Sequence, residues 1–198
     1  HIASDQYWWT GIVAYDPSGG ISRLTITPYT AEGTRLDPVN IDLNGNRKYV
    51  NSVSGIGLPA AAAWMQIDAA SGITGFELFG STDNRTLAGY TGVDLKATKG
   101  IFAKLDDSGW TGLALVNCGD TAAKITLRAR DRHGRLKAMV SDIPVTPHQR
   151  LMGTPERLFP GQDLSDAVYI DYESDQELVG FQINGDGDYL DALPALVY

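Results

Sequence analysis

The chain has one cysteine, Cys118, so no disulfide can close within it. Histidine is almost as scarce. His1, His133 and His148 stand far apart, and no His or Cys spacing suits zinc. No Gly-x-Ser-x-Gly turn offers a nucleophilic serine. Positive charge is also short: 16 Lys and Arg against 24 Asp and Glu leave a net charge of −8, which argues against a phosphate-backbone partner such as nucleic acid. No apolar run approaches the ~20 residues that cross a bilayer as a helix. Helix-favouring runs are few. What remains is a chain of 198 residues that is 43% hydrophobic and rich in glycine, with 22. That is enough apolar material for real cores in one large domain or two small ones.

The main pattern is a duplication. Trp9-Thr10-Gly11-Ile12-Val13-Ala14 is answered 101 positions later by Trp110-Thr111-Gly112-Leu113-Ala114-Leu115. Asp16-Pro17 then aligns with Asn117-Cys118, and Arg23-Leu24-Thr25-Ile26 with Lys124-Ile125-Thr126-Leu127. Gly75-Phe76-Glu77-Leu78 aligns with Gly180-Phe181-Gln182-Ile183. Indels fall at turn-like positions, as expected of a duplicated unit. Because Cys118 stands where the first copy has Pro17, thiol chemistry common to both copies is excluded. The halves are read as residues 1–92 and 93–198, the second including a lead-in strand within 93–109.

Local periodicity is of the strand type. It predicts strands over 8–15, 22–30, 40–43, 49–53, 64–69 and 73–80 in the first half. In the second half it predicts 110–116, 124–130, 138–143, 148–151, 168–172 and 178–184. Pro28 inside the second strand suggests an edge or a bulge. Helical turns are expected at 60–63 and 155–159. The fold class is therefore all-β, with two tandem, pseudo-symmetric β-sandwich units of about 90–100 residues each.

Trp8-Trp9-Thr10-Gly11-Ile12-Val13, the turn at Asp16-Pro17 and the later Gly75-Phe76-Glu77-Leu78-Phe79-Gly80 resemble a tandem β-rich Trp-Trp-Thr-Gly repeat of exported or cell-surface bacterial proteins. Leu158-Phe159-Pro160-Gly161 resembles its mid-repeat segment. The resemblance implies an extracytoplasmic setting, secreted, cell-surface or periplasmic, with further domains in the parent protein. It assigns no catalytic residue. The start at His1, without Met, is read as a processed product or a piece of something longer.

Candidate function is sought in what the copies do not share. Trp9 and Trp110 occur in both and are read as core, as is Trp64, which aligns with Tyr169. Tyr7 and Trp8 have no aromatic counterpart. They are candidates for a contact between the units or for a platform on which a sugar or peptide stacks. Asp171, Glu173, Asp175 and Glu177 share one strand face, and Asp171 and Glu173 are candidate ligand-binding or glycosidase carboxylates. The competing reading pairs them across strands with Arg128 and Arg130, whose charge rises in the same copy. Such pairing would remove the paired-carboxylate case. Asn184-Gly185-Asp186-Gly187-Asp188 has oxygen donors at alternate positions, making Asn184, Asp186 and Asp188 a calcium candidate against a simpler hairpin turn.

The leading expectation is a non-enzymatic module for structural spacing, adhesion or display of a surface that binds protein or glycan. The alternatives are a sensory ectodomain with a pocket between the units and a carbohydrate-active enzyme.

Overall fold

The computed structural model describes residues 1–69, 72–106, 108–187 and 189–198. The protein is all-β, with 56% of residues in strands. It divides into two compact units, His1–Gly92 and Val93–Tyr198. Among the described residues no helix is long and apolar enough to cross a membrane.

The first unit contains β1 (Trp8–Tyr15), β2 (Ile21–Tyr29), β3 (Val39–Asn44), β4 (Lys48–Ser52), β5 (Trp64–Ala69), β6 (Thr74–Ser81) and β7 (Leu87–Thr91). They form two sheets, ordered β4-β1-β6-β7 and β3-β2-β5. Alternation along each strand decides which side chains are buried. Ile12 and Ala14 of β1 meet Leu24 and Ile26 of β2 and Ile41 and Leu43 of β3 in one buried cluster. Trp64 is buried and stacks on Tyr29, its partner across β5 and β2, with ring centroids 4.3 Å apart.

Pro28 lies in a central strand rather than at an edge or bulge. The β2–β3 ladder stops at Ile26–Val39. Pro28 comes after it, and its carbonyl accepts from Leu36 N at 2.9 Å instead. Its missing N–H therefore interrupts no ladder bond.

The second unit contains β8 (Ala97–Phe102), β9 (Trp110–Val116), β10 (Ala123–Arg130), β11 (Leu136–Val145), β12 (Arg150–Gly153), α1 (Pro155–Leu158), β13 (Tyr169–Asp186), β14 (Tyr189–Pro194) and β15 (Leu196–Val197). The two strands expected over 168–172 and 178–184 are one continuous strand of 18 residues. It changes partners midway. Its first half lies between β10 and β8, and its second half between β9 and β14. No glycine or proline interrupts Glu173–Leu178, so nothing forces a turn. In the first unit Gly72, at φ +91°, separates β5 from β6. The core of the second unit gathers Leu113, Ile125, Leu127, Phe159, Ile170, Tyr172 and Leu178 around Phe102 of β8.

Strand registers recur between the units. Trp9 is opposite Gly80, and Trp110 opposite Gly185. Ile12 is opposite Glu77, and Leu113 opposite Gln182. Thr25 is opposite Asp68, and Thr126 opposite Glu173.

Candidate binding groove

Four segments at one end of the second unit enclose a groove of about 790 Å³. They are the β8–β9 loop with the start of β9 (Leu105, Asp106, Gly109, Trp110, Thr111), the β10–β11 turn (Asp131, Arg132, His133, Arg135), the α1 entrance (Thr154, Pro155, Glu156) and the approach to β13 (Leu164 to Val168).

The placement of Trp110 follows from strand parity. Thr111 and Leu113 point into the unit and are buried, so Trp110 and Gly112 point outward. Gly185 stands opposite Trp110, and a Cβ built there would lie 2.5 Å from the indole. The missing side chain lets the ring rest on the β13 backbone, and 43% of Trp110 stays exposed at the groove. Trp9 lies over Gly80 in the same way and is half-buried. The expectation that Trp9 and Trp110 belong to the core is thereby corrected. They cover glycines on the outward face of their sheets.

The groove walls carry fixed polar groups. Asp131 Oδ1 accepts from His133 N at 2.8 Å and Arg135 N at 2.9 Å, holding the turn in which Gly134 has φ +77°. Asp106 Oδ1 accepts from Ser108 N at 3.2 Å, and Asp106 Oδ2 lies 3.4 Å from Lys104 Nζ. The Ser108 N–H is the chief reason that the Asp106 carboxyl lies below its usual range, with Lys104 adding to it. Asp106 N donates to Thr111 Oγ1, which donates in turn to Asn184 Oδ1 at 2.8 Å. This buried chain ties the loop beside Trp110 to β13. Asp166 reaches Lys137 at 3.3 Å and is largely exposed.

Asp171 and Glu173 lie outside the groove, on the face of the five-strand path β11-β10-β13-β8-β15. Asp171 is buried between Arg128 (Nη1 to Oδ1, 3.2 Å) and Arg130, whose Nε donates to Oδ2. Glu173 takes Arg128 Nη2 at 2.8 Å and Lys99 Nζ at 3.0 Å. Arg128, then Lys99, holds the Glu173 carboxyl below its usual range. These groups line a shallow cavity of about 360 Å³ with Tyr169, Tyr172 and Tyr198. The condition that removes the paired-carboxylate case is met: both acids are neutralised by cross-strand cations, because β10 and β13 are neighbours in register. Tyr172 is fully buried on the opposite parity, and burial pushes its phenol up to about 12.

The other sequence candidates do not converge. Tyr7 is 65% exposed and Trp8 is half-buried. Their backbone N–H groups cap Asp5 Oδ1 at 2.7 and 2.9 Å, and neither residue lines the groove. Asn184 is buried within β13, with its Oδ1 committed to Thr111. Asp186 Oδ2 accepts from Ser108 Oγ at 2.7 Å, and Gly187 turns the hairpin into β14 at φ +57°. Asp188 lies outside the described residues. Among the described residues no group of three or more His, Cys, Asp or Glu is placed to hold a metal ion.

Sequence reasoning missed Trp110 as a groove residue, along with Asp106, Asp131, Glu156 and Asp166. One signal was available for the tryptophan. Each Trp precedes two inward positions of opposite parity, and each faces an aligned glycine.

No family model and no curated protein matches the chain. Among solved structures it is similar to the crystal structure of Thermotoga maritima 1070, at 18% identity. The match covers 52% of this chain and 95% of that one, with a TM-score of 0.43.

Proposed function

We propose that this chain is a non-enzymatic, extracytoplasmic binding module built as two tandem, pseudo-symmetric β-sandwich units, and that its ligand is a glycan seated in the groove at Trp110. The observation that carries this reading is the indole of Trp110, fixed over Gly185 and open to a groove walled by carboxylates and backbone-capped turns. A pyranose ring presents an apolar C–H face and a rim of hydroxyls. The indole suits the face, and the carboxylates of Asp106, Glu156 and Asp166 suit the rim as acceptors. Four carboxylates against Arg132 and Arg135 favour a neutral or amino-bearing sugar over an acidic one. The recurring strand registers and the Trp-Trp-Thr-Gly resemblance support the tandem and exported parts of the reading.

A glycan array followed by calorimetry on the best binder tests the proposal. Trp110→Ala is expected to weaken binding at least tenfold, the effect of losing ~1.4 kcal/mol at an aromatic anchor. Trp8→Ala, outside the groove, should leave it unchanged. A spacer without glycan affinity would bind nothing on the array. Equal binding by wild type and Trp110→Ala would move the site elsewhere.

A further inference from the structure

After α1 the chain runs irregularly from Phe159 to Val168 before it enters β13. This connection from β12 to β13 is longer than its counterpart from β4 to β5 in the first unit. Apolar anchors hold it at intervals. Phe159 is completely buried, Ala167 is buried, and Leu164 packs against the same core. Between Phe159 and Leu164 the chain is exposed, and Gly161 turns at φ +73° where a Cβ would touch nothing. Gln162 follows, and its side chain fixes this stretch. Oε1 accepts from Met139 N at 3.0 Å, and Nε2 donates to Met139 O at 2.9 Å. A residue of a neighbouring strand would exchange the same two bonds. β11 ends its sheet, is ten residues long and exposes Leu136 and Met139, a combination that invites strand addition unless guarded. The Gln162 amide stands in for a strand at one position of that edge.

The same segment walls the groove, which Leu164 to Val168 line. Two further ties join this wall to the β10–β11 hairpin, whose turn forms another wall. Val168 N donates to Arg130 O at 2.8 Å, and Lys137 Nζ reaches Asp166 Oδ2 at 3.3 Å. Neither Gln162 nor Met139 lines the groove.

We propose that residues 159–168 form a strap, and that its docking on β11 through Gln162 sets the groove wall at 164–168. Gln162 is a positioning residue, acting on a ligand only through that wall. Its two bonds form at an exposed site, where each gains little over water and ordering a glutamine side chain costs entropy. Docked and undocked straps therefore lie close in free energy. A ligand held against 164–168 favours the docked strap, and by linkage the docked strap favours the ligand. The effect on affinity rests on the glycan reading of the groove, whereas the docking of the strap stands without it.

Amide exchange of the full ¹⁵N-labelled chain tests both, alone and with tetraglucosamine or the neutral cellotetraose. Gln162→Met keeps the side-chain length and removes both polar groups. Without sugar it should speed exchange roughly tenfold at Met139, Ala167 and Val168, while the amides of Ile170 and Tyr172 stay as in the wild type. Gln162→Glu keeps the acceptor alone and should restore part of the protection at Met139. Sugar bound to the wild type should slow exchange at Met139, outside the groove. Gln162→Met should bind it about threefold more weakly and lose that protection. Unchanged exchange at Ala167 and Val168 in Gln162→Met would overturn the proposal, since only Met139 would then have lost a partner. So would a loss of protection throughout β13, or a sugar bound equally by both proteins without protection at Met139. If the wild type binds neither sugar while the exchange of Ala167 and Val168 responds as stated, the strap stands and the glycan reading falls.

Discussion

The indole of Trp9 lies over Gly80, its partner across β1 and β6, so closely that a Cβ at residue 80 would sit 2.4 Å from the ring. Trp110 and Gly185 repeat the relationship at 2.5 Å. A tryptophan that covers a strand glycine shields backbone that would otherwise lack a side chain, and the glycine fixes the height of the ring. Gly80→Ala should therefore lift Trp9 off the sheet and destabilise the first unit by roughly 1–3 kcal/mol, the usual cost of overpacking. Gly185→Ala should do the same in the second unit and also weaken any ligand of the groove. Denaturant unfolding followed by tryptophan emission checks both. Unchanged midpoints would show that the rings move aside without cost.

Much of the fold was legible because period-two alternation is strong and turns are well marked. Trp8–Tyr15, Trp64–Ala69 and Trp110–Val116 have the bounds the sequence predicts. The merger of two strands into β13 was not legible. Continuity there depends on β10 and β9 presenting partners on successive stretches, a tertiary circumstance that local pattern does not carry. β7 and β14 were missed because Leu87–Thr91 and Tyr189–Pro194 are short edge strands with few β-branched residues. For the site, paired charge changes between the copies revealed the Arg128–Asp171 contact. The groove could not be read, because its walls come from four loops far apart in sequence.

Asp171 is the buried hub of the charged face, so its removal should matter more than that of its neighbour. Asp171→Asn leaves Arg128 and Arg130 sharing an uncharged acceptor and is expected to cost the second unit about 2 kcal/mol. Glu173 is far more exposed, and Glu173→Gln should cost much less. The Glu173 contribution also has a pH signature. Because its carboxyl is held below the usual range, the stabilisation is present above the unfolded pKa and fades as pH falls through the lower folded value. Thermal unfolding of the two variants at neutral and acid pH, at low and high salt, separates the cases. Equal losses for both variants would contradict the assigned hierarchy.

Glu77 supplies the opposite pH dependence. It is buried at the inward position opposite Ile12, where the second unit has Gln182 opposite Leu113. Tyr90 donates its phenol to Oε2 at 2.8 Å, and the His1 backbone nitrogen lies 3.4 Å away. Oε1 has no partner. Burial raises the Glu77 carboxyl above its ordinary range, outweighing Tyr90 and the His1 nitrogen, which act the other way. Burial likewise raises the Tyr90 phenol, so it stays a donor at neutral pH. A folded pKa above the unfolded value of roughly 4.3 means that the Glu77 contribution is fully present below that value. It is lost as pH rises through the folded pKa, when the carboxylate must ionise without water. Gln182 shows the neutral solution, its Nε2 donating to Lys104 O at 2.8 Å. Glu77→Gln should therefore flatten the stability of the first unit between mildly acid and neutral pH and raise its unfolding midpoint at pH 7. Amide exchange of β1 and β6 read against pH isolates that unit from the other. A variant that loses stability at pH 7 while keeping the wild-type slope would place the source of the pH dependence elsewhere.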